Sequence, residues 1–311
     1  RGKSVSRGLA RSLRWWGVMN IDTSPVSQKR PALVSISVQE ALQTRASAST
    51  HPGNTRPVNE DHFLIANIRS AIQVVQASVR ANEHYFGHDC ASLFVVADGM
   101  GGHAGGERAS ALAVVSMETF ILQSLSELGP MRETCAASLL SASFRCADSA
   151  VFDAGRERIS LTGMGTTMTA ALVVGNEVFL GHAGDSRAYL LRAGKLVRLT
   201  SDHTIASELL GKGILNTEEA EEHPLRNVVT NAIGGTVRGV TPDIRRFPAR
   251  VGDKLLICTD GLSDVVSDED LMRTLSEPNE PSLTSSRLVQ AALDAGSKDN
   301  ITALVVEFEA A

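Results

Sequence analysis

Residues 169–199 read TAALVVGNEVFLGHAGDSRAYLLRAGKLVRL. Four short apolar runs, 169–174, 177–181, 188–191 and 195–199, have the length and the content of valine, leucine and aromatic residues expected of strands. Gly175-Asn176 joins the first two, and Ala193-Gly194 joins the second two. Links this short join antiparallel neighbours, because a parallel pair needs a crossover of a dozen residues or more. A fully parallel, doubly wound sheet is therefore disfavoured.

Outward from this stretch, residues 93–97, 255–258 and 302–308 are further strand-like runs. Helical spacing comes in blocks: Val114, Met117, Ile121, Leu125 and Leu128 recur every three or four residues, and after Pro130 so do Leu140, Phe144, Ala147 and Val151. A third helix is expected at 285–295 and a shorter helical pair at 204–220. Strand blocks interrupted by helix pairs predict an α+β fold in which helices cover a mainly antiparallel core.

Charge divides the chain in two. Residues 1–45 carry eight Lys/Arg against Asp22 and Glu40, which leaves 22 basic against 33 acidic residues, a balance of −11, in 46–311. The first part, Ser/Arg-rich with Pro25 and Pro31 and without sustained periodicity, is read as a disordered basic N-terminal tail. Trp15 and Trp16, set among Arg7, Arg11 and Arg14, present too small an apolar face for stable membrane binding. No run reaches the eighteen or so apolar residues that cross a bilayer, so no membrane insertion is expected. The acidic 46–311 domain lacks the basic face that nucleic-acid phosphates require. Cys90, Cys135, Cys146 and Cys258 form no CxxC pair and have no zinc-type spacing, so buried, reduced thiols in a cytoplasmic setting are expected.

The candidate chemistry lies where strands end. Asp98-Gly99 closes one run, Asp185 follows another, Asp260-Gly261 closes a third and Asp299-Asn300 precedes the last. An aspartate followed by glycine leaves a strand and turns at once, exposing a main-chain carbonyl beside its carboxylate. Oxygen-only donors favour a hard cation, Mg²⁺ or Mn²⁺, over zinc. Gly99, Gly101 and Ala104 also satisfy a dinucleotide-binding GxGxxA pattern, but the helix that follows runs into Pro130 and another helix instead of a second parallel strand. Ser186 lacks the GxSxG elbow of a hydrolase nucleophile, and no P-loop is present. Metal-assisted hydrolysis remains.

Six segments resemble, in order, the motifs of the metal-dependent PPM family, the type 2C Ser/Thr protein phosphatases, in its bacterial branch. They are Arg56-Pro57-Val58-Asn59-Glu60-Asp61, Val96-Ala97-Asp98-Gly99-Met100-Gly101-Gly102-His103, Gly163-Met164-Gly165-Thr166-Thr167, Gly184-Asp185-Ser186-Arg187, Thr259-Asp260-Gly261-Leu262-Ser263-Asp264 and Lys298-Asp299-Asn300-Ile301-Thr302. The resemblance implies a four-layer αββα sandwich, two mainly antiparallel sheets face to face with helices outside, making 46–311 the catalytic domain. It implies two Mn²⁺ or Mg²⁺ ions held by Asp98, the Gly99 carbonyl, Asp260 and Asp299, with Glu60 and Asp61 arranging metal-bound water. A third, weaker ion would lie at Asp185 and Asp264.

The same resemblance implies hydrolysis of phosphoserine and phosphothreonine by a metal-activated bridging water, with Arg56 gripping the phosphate and His103 protonating the leaving alkoxide. It implies phosphoprotein substrates and a cytoplasmic Ser/Thr kinase whose action the chain opposes. Residues 202–238 resemble the family's flap, and 62–90 reads as a surface elaboration beside the site. Thr166 and Thr167 are expected to begin a core strand, His182 to be a satisfied strand-end histidine, and Ser186 and Arg187 to brace the Asp185 turn. Two alternatives differ in class: a non-catalytic phosphoprotein-binding module of this fold would be missing metal carboxylates, and a phosphodiesterase or nuclease would want a basic channel.

Overall fold

The two predicted hairpins exist. Val174 faces Glu177 across Gly175-Asn176, with Gly175 at φ 58°, and Arg192 faces Lys195 across Ala193-Gly194, with φ 49° and 75°. Positive φ at both central residues matches the turn to the right-handed twist of its strands, at a cost of about 1 kcal/mol for Ala193. The computed structural model describes residues 42–68, 72–78, 91–101, 104–128 and 133–311, all within the unit Glu40–Ala311; the other unit, Arg1–Gln39, lies outside the described residues.

In chain order the strands are β1 (Leu42–His51), β2 (His62–Ile68), β3 (Ile72–Ala77), β4 (Ala91–Ala97), β5 (Gly99–Met100), β6 (Gly165–Thr166), β7 (Met168–Val174), β8 (Glu177–Ala183), β9 (Arg187–Arg192), β10 (Lys195–Arg198), β11 (Ile233–Gly234), β12 (Asp243–Pro248), β13 (Lys254–Cys258) and β14 (Ile301–Ala310). The helices are α1 (Ala104–Leu128), α2 (Glu133–Glu157), α3 (Ile205–Gly211), α4 (Thr217–Glu221), α5 (Asp260–Ser263), α6 (Asp268–Ser276) and α7 (Pro281–Asp294). One sheet runs β1-β14-β13-β9-β10 and a second β12-β8-β7-β4-β2-β3, while β11-β6-β5 form a small third sheet. The pairings among these strands are antiparallel.

Side-chain alternation builds the layers. Phe63 and Ile65 of β2, Phe94 and Val96 of β4, and Leu304, Val306 and Phe308 of β14 meet in a core between the two large sheets. Their neighbours point the other way: Leu64, Ala66, Leu93 and Val95 pack under Val114, Met117, Ile121, Leu140 and Phe144 of α1 and α2, and Ala303 and Val305 pack under Leu271, Leu275, Leu288 and Ala292 of α6 and α7. The result is the four-layer α+β sandwich the sequence implies. Strands buried on both faces read as continuous apolar runs, of which Met168–Val174, buried throughout, is the clearest.

Several expectations need correction. Leu42–Arg45, read as tail, belong to β1: they pair with the end of β14, and Arg45 donates to Glu309 at 3.0 Å. His62–Ile68, read as surface elaboration, is a core strand between β3 and β4. Cys258 is buried, but Cys135 and Cys146 are only half-buried; among the described residues none of the three forms a disulfide, and Cys90, Arg69, Arg80 and His88 lie outside the described residues.

Asp148, on the buried face of α2, holds the small sheet in place. Its Oδ1 accepts from Gly234 N–H at 2.8 Å and its Oδ2 from Gly239 N–H at 3.0 Å and Val240 N–H at 3.4 Å. Charge-assisted bonds of this kind are among the stronger ones, and their loss strands buried donors. Asp148→Ala should lower the unfolding free energy by about 3 kcal/mol in urea titration; a loss below about 0.5 kcal/mol would show that the carboxylate carries nothing.

Candidate metal centre

Register puts the acidic residues at one edge of both large sheets. His62 lies opposite Ala97, so Asp61 and Asp98 leave adjacent strands side by side. Cys258 lies opposite both Arg187 and Ala303, which brings Asp260, Asp185 and Asp299 to the same edge of the other sheet. Asp185 sits in the turn that carries the chain from β8 to β9, from one sheet to the other.

Neutral hydrogen-bonding residues set these carboxylates. Thr166 Oγ1 donates to the Asp98 carbonyl at 2.7 Å, and Thr167 Oγ1 accepts the Asp98 N–H at 3.1 Å. The hydroxyls of Thr259 and Thr302 donate to Asp61 Oδ2 at 3.0 and 2.7 Å. Asn300 clamps the loop before β2: its Oδ1 accepts Glu60 N–H at 2.7 Å, and its Nδ2 donates to the carbonyls of Pro52 and Val58, each at 3.0 Å. Thr259, Asn300 and Thr302 were not singled out from the sequence as site residues. The available signal was their position: Thr259 and Asn300 each flank an aspartate, and Thr302 lies three residues after Asp299, all with side chains able to hydrogen bond.

These acids disturb one another. Burial, then the charges of Asp61, Asp260, Asp185 and Asp299, push the Asp98 carboxyl well above its ordinary range. Burial, then Asp185, Asp264, Asp299 and Asp61, do the same to Asp260. Asp61, only 2% exposed, is pushed up to about 7, chiefly by burial against the opposing hydrogen bonds of Thr302 and Thr259. Asp185 rises to about 6, by burial and then the charge of Asp202.

One buried oxygen each of Asp61 and Asp260 has no hydrogen-bond partner. A side chain at Gly106 would put a Cβ 2.5 Å from Glu60 Oε2 and 2.8 Å from the Gly99 carbonyl oxygen, so this glycine lets two oxygen donors close on the same point. Among the described residues no three His, Cys, Asp or Glu side chains form a ready-made cage. Carboxylates that repel, oxygens that lack partners and a donor set without sulfur or imidazole fit hard divalent cations, which favour the charged forms that burial opposes.

Beside the acids a cavity of about 610 Å³ is lined by Arg56, Arg226, Asp260, Asp264, Lys298 and Asp299, among others. Arg56 donates Nη2–H to Asp299 Oδ2 at 2.7 Å. A second cavity of about 570 Å³ shares Asp264, Arg226 and Asn227 and extends under α3 and α4, the segment expected to be a flap.

A profile for protein phosphatase 2C matches residues 81–295. The chain belongs to the protein phosphatase 2C family. Among this family's curated members, the Ser/Thr protein phosphatase PstP of Mycobacterium tuberculosis is 40% identical over 77% of this chain, which spans 45% of PstP's length. The protein phosphatase PhpP of Streptococcus pneumoniae is 32% identical over 72% of this chain and 88% of its own. The crystal structure of the M. tuberculosis PstP/Ppp superposes with TM-score 0.69 at 35% identity, covering 86% of this chain and 99% of that one. A second, of the PstP catalytic domain in complex with two manganese ions, gives TM-score 0.68 at 34% identity over the same shares of the two chains.

Within this type 2C chain Arg56, Glu60, Asp61, Asp98, Asp185, Asp260, Asp264 and Asp299 fall in one electrostatic neighbourhood, with the Gly99 carbonyl against Glu60. His103 lies outside the described residues. Asp264 is 3.3 Å from the Arg187 guanidinium, which also holds Asp202 at 3.0 Å and the Ser263 carbonyl at 3.0 Å, so the Arg187 side chain ties Asp202 to the end of α5 instead of bracing the Asp185 turn. Ser186 meets Thr167 Oγ1 at 2.8 Å. His182 is satisfied between Thr169 Oγ1 at 2.9 Å and the Ser201 carbonyl at 3.2 Å, and burial lowers it to about 4.

Raised acids fix the sign of a pH effect. With EDTA, the folded chain keeps protons on Asp61, Asp98 and Asp260 that the unfolded chain, with carboxylates near 4, has released, so stability is highest below about 4 and falls as pH rises from there through the folded values, about 7 for Asp61. The unfolding midpoint should therefore drop between about pH 5 and 7 in EDTA, and rise over the same interval in excess Mn²⁺, whose binding needs the ionised carboxylates. Thermal unfolding with parallel slopes in the two conditions would remove the cation from this site.

Proposed function

We propose that the chain is a protein phosphatase that hydrolyses phosphoserine and phosphothreonine with two Mn²⁺ or Mg²⁺ ions, and that residues 46–311, extended by Leu42–Arg45, are its catalytic domain. The observation that carries this reading is the convergence of Asp98, Asp260 and Asp299 at one edge, where Asp299 raises the charge cost of both Asp98 and Asp260, beside a cavity that also presents Arg56. A non-catalytic module would have no need to retain these mutually repelling carboxylates.

Asp98, Asp260, Asp299 and the Gly99 carbonyl would hold the two ions, and Asp185 with Asp264 a third. A bound cation pair supplies an ionised water at neutral pH and draws charge from the phosphoryl oxygens. Asp61, whose Oδ2 is fixed by two threonines and whose Oδ1 has no hydrogen-bond partner, would orient that water together with Glu60, whose N–H is fixed by Asn300. Arg56 takes the phosphate: its planar fork suits phosphoryl oxygens, and its present partner Asp299 is one of the residues an ion would engage. His103 would give its proton to the departing serine or threonine oxygen.

The substrates are phosphoproteins, and the chain opposes a Ser/Thr kinase. Cys135, Cys146 and Cys258, which form no disulfide among the described residues, suit the reducing cytoplasm. Among the described residues no helix is long and apolar enough to cross a membrane.

Purified chain should release phosphate from phosphothreonine and phosphoserine peptides with Mn²⁺ or Mg²⁺ and not with EDTA. Asp98→Asn and Asp260→Asn should each lower kcat by about 10³-fold or more; near-normal turnover in either would refute the ligand assignment. His103→Gln should slow phosphopeptides by about 10²-fold or more while sparing p-nitrophenyl phosphate, whose leaving group hardly needs a proton. Equal losses on both substrates would exclude His103 as the acid.

A further inference from the structure

The metal-side cavity presents three cations, Arg56, Arg226 and Lys298, against three carboxylates, Asp260, Asp264 and Asp299. Only Arg56 has a carboxylate partner: among the described residues neither Arg226 nor Lys298 takes part in an ion pair, and both are exposed. Each is held in place. Arg226 lies on the turn after α4, where Nη1–H donates to the Glu221 carbonyl at 3.0 Å and its own N–H to the His223 carbonyl at 3.0 Å. The helix beneath is fixed by a capping box, Asn216 with Glu219. Lys298 precedes Asp299, and its carbonyl accepts the hydroxyl of Thr55, next to Arg56. Ions on Asp260 and Asp299 would cancel the carboxylate charge and leave the mouth of the cleft positive.

We propose that Arg226 and Lys298 bind acidic side chains flanking the phosphorylated residue, so that the preferred substrates are phosphoserine and phosphothreonine in acidic sequence. The inference rests on the phosphatase reading. One cation, Arg56, suffices for the phosphate; two more on fixed backbone at the same opening have no role in the chemistry and suit carboxylates flanking the phosphorylated residue of a bound peptide. The second cavity under the flap carries Glu221 and Asp268 beside its arginines, and a preference for basic flanks would assign the selection to that space instead.

The test uses the full chain with Mn²⁺ and phosphothreonine peptides that differ only in Glu, Gln or Lys at the two positions on each side of the phosphothreonine. Wild type should favour the Glu peptide over the Gln peptide by roughly three- to tenfold in kcat/KM, through KM, as two solvent-exposed ion pairs would give. Arg226→Gln with Lys298→Gln should bring that ratio to about one, as should 0.5 M salt; Arg250→Gln, outside the cleft, should leave it unchanged. Fluorescence anisotropy of the same peptides carrying a non-hydrolysable phosphonate should give the same order of affinities. A wild-type ratio near one, a preference for Lys, or a ratio retained in the double variant overturns the proposal while the phosphatase reading stands. If wild type hydrolyses none of the peptides, the phosphatase reading itself fails and this inference with it.

Discussion

Repulsion among carboxylates at one sheet edge governs this structure. Asp61, Asp98, Asp185 and Asp260 are drawn from distant parts of the chain into a region that disfavours their charges, and the fold relieves them only in part: Thr259 and Thr302 donate to Asp61, while the nearby guanidinium of Arg187 is shared with Asp202 and that of Arg56 reaches Asp299. A folded chain that accepts such a cost carries a site that something else must complete. Divalent cations complete it with the donors on hand, and the same cations make the edge a place where a phosphate is drawn in.

The sandwich makes that convergence possible. Two antiparallel sheets stacked face to face present strand ends from both at a common rim, and the β8 to β9 turn passes from one sheet to the other there. The rim acids sit at or just beyond the ends of these strands, in the turns and the short α5 that follow or precede them. The segment with α3 and α4 is closed at its base by the Thr204 to Val229 bridge and contributes to the walls of both cavities.

Much of this was legible in the order of residues. Gly175-Asn176 and Ala193-Gly194 specified antiparallel pairing because two-residue links admit nothing else, even though runs buried on both faces imitate the strands of a parallel sheet. Phe144 and Met117 announced their helices by period alone. The strands β1 and β12 escaped because LQTRASASTH and DIRRFP are polar edge strands, paired through backbone and ion pairs instead of apolar alternation. Thr259, Thr302 and Asn300 escaped for a different reason: a hydroxyl or amide beside an aspartate reads as ordinary turn chemistry until the fold brings Asp61 and Glu60 to it from some 240 residues away. Candidate ligands could be read from pattern, but their supports could not.

The decisive measurement is anomalous scattering from a crystal of the chain grown in Mn²⁺ near neutral pH. Two manganese peaks within roughly 4 Å of each other, both in contact with the Asp98 carboxylate and flanked by Asp260 and Asp299, are expected. A crystal whose rim holds no manganese, or whose only ion sits away from Asp98, would contradict the claim that these acids exist to bind a cation pair.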